Sequence, residues 1–180
     1  MRNRVPDHWL LRTTRRQNGY APIQDYAVIG NKRTAALVAL DGSIDWLCLP
    51  RFDEPTVFGA LLDPAIGGRF ALAPAGAFEV ERRYVSDTNV LETTFATSEG
   101  KVRVTDFMSI GEARPVPWNE LVRHIEGVSG SVTMQWRVEP RFEYDGTQPA
   151  ISRAGDALLL SHGDLVLALQ TWDAGDVTVA

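Results

Sequence analysis

Cysteine is almost absent from this sequence: Cys48 stands alone among 180 residues. A lone cysteine closes no intrachain disulfide and builds neither a zinc ribbon nor a redox pair, so a reducing, cytoplasmic compartment is expected. Histidine is nearly as scarce, with only His8, His124 and His162. A catalytic triad or a histidine metal site would need distant elements to converge, so the three read as surface or structural side chains. Basic residues are outnumbered, 18 Lys and Arg against 23 Asp and Glu, for a net charge of −5. That balance argues against a nucleic-acid partner, because phosphate contacts need clustered cations across one face. No apolar run approaches the roughly 20 residues that span a bilayer, so no membrane partner is expected. Gly-x-Ser-x-Gly, the phosphate loop, His-Glu-x-x-His and Gly-x-Gly-x-x-Gly are all missing. No metal and no cofactor is expected.

The one basic cluster opens the chain, where Arg2, Arg4, Arg12, Arg15 and Arg16 are opposed by Asp7 alone. A secretory signal needs an apolar stretch of about 7 to 15 residues after the charges. Here only Trp9, Leu10 and Leu11 are contiguous. Residues 1–19 are therefore expected to form a solvated, disordered tail.

What the sequence does contain is the material of one globular β domain, with 44% hydrophobic and 23% charged residues. From Tyr26 onward, short runs rich in β-branched and aromatic residues alternate with Gly-containing turns, and no stretch keeps a helical period. Ala35 to Leu40 and Ile44 to Leu49 flank Asp41-Gly42-Ser43, which predicts a hairpin. A second hairpin is predicted where Glu99-Gly100 separates Leu91 to Thr97 from Val102 to Met108. A third is predicted from Leu121 to Val128, Ser129-Gly130, and Val132 to Val138, the last run alternating strictly. Ala157 to Ser161 and Leu165 to Thr171 form a fourth around His162-Gly163-Asp164, and Asp176 to Ala180 reads as the start of a further strand. The pattern predicts an all-β fold, an antiparallel β-sandwich, expected to be incomplete at its C-terminus. Pro50 to Gly68 is a long loop, expected to hold a short helical turn around residues 56–62.

Asp41, Asp45, Asp53 and Glu54 form the densest acidic group, and paired carboxylates are what glycoside hydrolysis requires. Asp41 is explained by the hairpin turn. Asp53-Glu54-Pro55 resembles loop-initiating chemistry, so structural or solvated roles are expected for Asp45, Asp53 and Glu54, with substrate contact as the alternative. Trp46, Phe52 and Phe58 suit either a core plug or a sugar-stacking platform, with core packing expected. Arg51 is suited to fork onto a carboxylate of a partner domain or onto a hydroxyl-rich ligand, with a plain surface arginine as the other reading. Cys48 lies in an apolar strand and reads as a small core residue.

The stretch from Tyr20 to Asn31, Tyr-Ala-Pro-Ile-Gln-Asp-Tyr-Ala-Val-Ile-Gly-Asn, followed by Thr34-Ala35-Ala36-Leu37-Val38, resembles the opening of glycoside hydrolase family 15 proteins of bacteria and archaea. The run from Asp41 to Asp53, Asp-Gly-Ser-Ile-Asp-Trp-Leu-Cys-Leu-Pro-Arg-Phe-Asp, resembles the signature of their trehalase-like N-terminal domain. The likeness continues through Arg83-Tyr84, Asn89 to Thr93 and Val104 to Met108, and covers residues 20–180. It implies a supersandwich-like β domain followed by an (α/α)6 barrel that hydrolyses α-glucosidic bonds, in trehalose or maltose-type glucans, with inversion. The acid and base of that reaction are two barrel glutamates, and the barrel is absent from this chain, so no catalytic residue is carried over.

The resulting expectation is an N-terminal accessory domain, inactive alone, partnered by a catalytic barrel and through it by an α-glucoside. Trp46, Arg51, Phe52 and Asp53 are its candidate substrate- or barrel-contacting residues. A stand-alone carbohydrate-binding or interaction module is the competing reading, and a fragment without activity the third. Which α-glucoside is hydrolysed, and whether the chain forms a homo-oligomer, stay open at this stage.

Overall fold

A computed structural model describes residues 16–110 and 118–174. Among the described residues, thirteen strands follow one another: β1 Ala27–Gly30, β2 Ala35–Val38, β3 Ile44–Cys48, β4 Thr56–Phe58, β5 Arg69–Pro74, β6 Glu79–Tyr84, β7 Leu91–Ala96, β8 Gly100–Met108, β9 Leu121–Gly130, β10 Met134–Glu139, β11 Ala150–Ala154, β12 Ala157–His162 and β13 Leu165–Leu169. A short 3-10 turn, Ile23–Asp25, lies just before β1. All pairings are antiparallel. The first sheet runs β1-β2-β3-β5-β10 with β4 on β3, the second runs β6-β7-β8-β9, and a third runs β11-β12-β13.

The expected all-β sandwich is what these elements build. On β7, Leu91, Thr93 and Phe95 are buried while Glu92, Thr94 and Ala96 are not, the period-two burial of a half-covered sheet. Ile29, Ala36, Val38, Ile44 and Leu47 of the first sheet share a core with Leu91 and Met108 of the second, and Leu165 and Leu167 of the third pack against it. Leu72 of the first sheet joins Val80, Phe95, Val102 and Val104 of the second in an adjoining core. Burial of these apolar faces is the main drive to fold.

The interior also holds a polar staple. Arg123 on β9 donates from Nε to Asp106 Oδ1 at 2.8 Å, from Nη1 to Phe70 O at 3.0 Å and from Nη2 to Gly42 O at 2.6 Å. Its guanidinium lies over the Phe70 ring, 4.7 Å from the centroid. One side chain of the second sheet thus satisfies two carbonyls of the first. The sheets are stitched again at their rims, where the Tyr84 hydroxyl accepts from Val28 N at 2.9 Å and donates to Val28 O at 2.8 Å. That hydroxyl covers backbone groups of the edge strand β1.

Three of the four expected hairpins form, β2–β3, β7–β8 and β12–β13. The third does not. β9 spends its ladder on β8, from Gly100↔Gly130 to Met108↔Leu121, while β10 pairs with β5 in the other sheet. Gly130, at φ 65°, is where the chain turns away, and a Cβ there would sit 2.1 Å from Glu99 O. The alternation of Val132, Met134 and Trp136 reports the inward face correctly but says nothing about which strand lies alongside. The loop after Pro50 differs from expectation as well: Thr56–Phe58 is a strand on β3, and the turn falls after it, where Leu62 N and Asp63 N both donate to Gly59 O.

The start of the domain is tied down earlier than its composition implies. Gln17 and Tyr20 exchange backbone hydrogen bonds at 2.9 and 3.0 Å, and Arg16 reaches into the first sheet. Residues 1–15 of the expected tail, His8 among them, and the strand expected over 176–180 lie outside the described residues.

Candidate functional site

The Asp41–Asp53 segment builds two different environments. The first surrounds Asp45. On β3, Ile44 pairs with Val38 and Trp46 with Leu37, so Asp45 is the extra residue of a β-bulge. Its carboxylate is completely buried. Oδ2 accepts from Arg16 Nη1 at 2.8 Å and Tyr26 Oη at 2.7 Å, and Oδ1 accepts from Ser43 Oγ at 2.6 Å. Arg69 Nη1 stands 3.9 Å from Oδ1. Asp41 takes the rest of the Arg16 fork, Nε to Oδ2 at 2.6 Å and Nη2 to Oδ1 at 3.0 Å, while its Oδ1 also caps Ser43 N.

The electrostatics follow from this packing. Burial alone would lower the Arg16 pKa, but the hydrogen bonds and charges of Asp41 and Asp45 outweigh it and the net shift is upward. Burial pushes the Tyr26 hydroxyl above the usual tyrosine range, and its hydrogen bond to Asp45 pushes further in the same direction. Arg16, Asp41, Ser43 and Arg69 line one side of an open cleft of about 890 Å³, with Ala71 and Ala73 beside them. The Asp45 oxygens already have donors, so this network acts as a structural hub and not as an acid or base for a ligand.

The second environment is the loop that follows β3. Arg51 and Asp53 form an exposed bidentate pair, Nε to Oδ1 at 3.0 Å and Nη2 to Oδ2 at 2.7 Å. Phe52 between them is 72% exposed, against the core-packing expectation. Glu54 N closes the loop onto Arg51 O at 3.2 Å. Behind the exposed tip, Asn119 Nδ2 donates to Pro50 O at 2.9 Å and Phe52 N donates to Arg33 O at 3.1 Å. Trp118, next to Asn119 in sequence, is 60% exposed.

Of the four candidate residues, the structure brings together Arg51, Phe52 and Asp53. Trp46 stands apart, half-buried against Tyr144, their ring centroids 6.1 Å apart and tilted by 44°. Phe58 is a core residue. Cys48 is buried as expected, and burial raises its thiol pKa against the opposing hydrogen bond with Tyr144. His162 stacks on Phe142, and His124 is exposed on β9, so neither supports a triad. Sequence reasoning missed Asn119 and Trp118, because Asn119 reaches a partner 69 residues away.

Among the described residues, the structure defines an antiparallel β-sandwich domain with a buried polar hub and a solvent-facing aromatic and ionic loop. A profile of the family described as trehalase-like, N-terminal, matches residues 9–172. The chain belongs to this family. It is 40% identical over 139 residues to the trehalase of Thermoplasma volcanium, a match covering 75% of this chain and 22% of that protein. The trehalase of Mycobacterium tuberculosis is 35% identical over 71% of this chain and 21% of its own length. Trehalase 1 of Sulfolobus acidocaldarius is 39% identical over 72% of this chain and 21% of its own length. The chain thus spans about a fifth of the length of these curated relatives. No solved structure matches it significantly. Among the described residues, no helix is long and apolar enough to cross a membrane.

Proposed function

We propose that this domain is the N-terminal accessory part of a cytoplasmic α-glucoside hydrolase of the trehalase and glucoamylase type. The reaction is inverting hydrolysis carried out by two glutamates of a following (α/α)6 barrel, and the β domain supports that barrel and closes its sugar pocket. In this arrangement Arg51, Phe52 and Asp53 face the α-glucoside, and Trp46 with Tyr144 meets the barrel wall. The observation that carries the reading is the exposed yet anchored Arg51–Asp53 loop, in a domain that makes up about a fifth of proteins named trehalase. An aromatic ring beside a planar ion pair offers an apolar face and several hydrogen-bonding groups to a sugar.

The test is hydrolysis of trehalose and maltose by the chain alone and by the full-length protein that carries it. Activity is expected only in the longer protein, and Arg51→Ala or Asp53→Ala should lower it without unfolding the domain. The exposed pair contributes little to stability, about 0–1 kcal/mol, so a loss of turnover would not come from unfolding. Unchanged turnover in both variants would remove the sugar-facing role. The exposure of Phe52 and Trp118 favours one alternative, a sugar-binding module without catalysis. Trehalose or maltose binding by the isolated chain, with no hydrolysis in any longer form, would select it.

A further inference from the structure

Three segments converge behind Arg51 through side-chain amides. Arg33 N and Thr34 N both donate to Asn31 Oδ1 at 3.1 Å. Asn31 Nδ2 donates to Asn119 Oδ1 at 2.8 Å, and Asn119 Nδ2 donates to Pro50 O at 2.9 Å. Backbone N–H groups only donate and carbonyls only accept, so the two ends of this relay determine the orientation of both amides. Phe52 N, bonded to Arg33 O at 3.1 Å, closes the circuit. The peptide groups on both sides of the Arg51 Cα are therefore held, one through Pro50 O and the other through Phe52 N.

This anchoring serves a tip that buries almost nothing. Arg51, Phe52 and Asp53 are all exposed, so fixing the backbone beneath them costs conformational entropy without recovering it as apolar burial at the tip. Such an expense is recovered when a ligand meets side chains that are already in place, because preorganisation removes the ordering cost from the binding step. A loop serving only to connect β3 to β4 needs no such relay.

We propose that Asn119 and Asn31 are positioning residues for the Arg51–Phe52–Asp53 loop and set the geometry in which it meets the α-glucoside, a proposal that rests on the sugar-facing reading above. Neither amide touches the sugar. Asn119 holds the carbonyl before Arg51, and Asn31 holds Asn119.

The experiment is steady-state hydrolysis of trehalose and maltose by the full-length protein that carries this domain, for Arg51→Ala, Asn119→Ala and the double variant, with the Tm of each. Asn119→Ala is expected to lower kcat/KM roughly tenfold to a hundredfold, the scale on which small misplacements act. In the Arg51→Ala background the same substitution should cost clearly less than it does alone, because part of its effect passes through the Arg51 side chain. Equal losses in both backgrounds, or no loss from Asn119→Ala when Arg51→Ala is impaired, would overturn the proposal and leave the sugar-facing reading standing. If Arg51→Ala and Asp53→Ala are both inert, the sugar-facing reading falls and this proposal with it. Should Asn119→Ala not fold, Asn31→Ala in the same two backgrounds tests the relay one step back, removing the donor to Asn119 Oδ1 along with the acceptor for Arg33 N and Thr34 N, and the same outcomes decide.

Discussion

Arg16 Nη1 donates to Asp45 Oδ2 at 2.8 Å, joining a side chain from a basic stretch to a carboxylate with no solvent exposure 29 residues away. A buried carboxylate is tolerated only when its oxygens are paired and hydrogen-bonded. Arg16 supplies the nearest charge, Arg69 stands 3.9 Å away, and Tyr26 and Ser43 supply hydroxyl donors.

Removing that charge should be costly. Arg16→Ala is expected to destabilise the domain by about 2–3 kcal/mol, below the cost of stripping a buried ion completely because two hydroxyl donors remain. A lower denaturant midpoint at unchanged slope is the expected readout. An unaltered midpoint would show that Arg16 decorates the hub without supporting it.

Tyr26 predicts a pH dependence. Its folded-state pKa is raised, first by burial and then by the hydrogen bond to Asp45, so the folded chain holds the phenolic proton more tightly than the unfolded chain does. That contribution is complete below the unfolded value of about 10 and is lost as pH rises past it. The stability gap between the wild type and Tyr26→Phe should hold below about pH 10 and shrink progressively above it, measured by urea denaturation. A gap independent of pH would exclude the coupling.

The Arg123 staple predicts a larger loss. Arg123→Ala leaves Asp106 buried without its cation and strips donors from Gly42 O and Phe70 O, for an expected cost of about 3–5 kcal/mol. Arg123→Ala combined with Asp106→Ala should be no less stable than Arg123→Ala alone, because the unpaired charge is then gone. Additive losses would place the energy elsewhere.

Gly42 closes the β2–β3 hairpin at φ 82°, and a Cβ there would stand 2.1 Å from Leu72 O. Gly42→Ala combines a left-handed backbone cost of about 1–2 kcal/mol with a clash against the backbone of β5. Gly76→Ala, where a Cβ meets nothing within 4 Å, is the control and should change stability little. Thermal unfolding of the two variants compares them directly.

The parts of this protein legible in its sequence are the local ones. Asp41-Gly42-Ser43 predicts its hairpin because a tight turn is made within a few residues, with Asp41 capping Ser43 N and Gly42 taking the positive φ. Alternation along Leu91 to Phe95 and Val132 to Trp136 predicts which side chains enter the core, because successive residues of a strand face opposite ways. The Arg51–Asp53 loop is legible as a candidate from its unusual composition between the flanking strands, but the pairing of Arg51 with Asp53 is a finding of the structure. Tertiary structure alone decided what depends on distant partners: that β9 and β10 join different sheets, that Arg16 belongs to the Asp45 hub, and that Asn119 holds Pro50. Each follows from a hydrogen bond or ladder whose two ends no short-range pattern connects, so its geometry exists only once the sheets have packed.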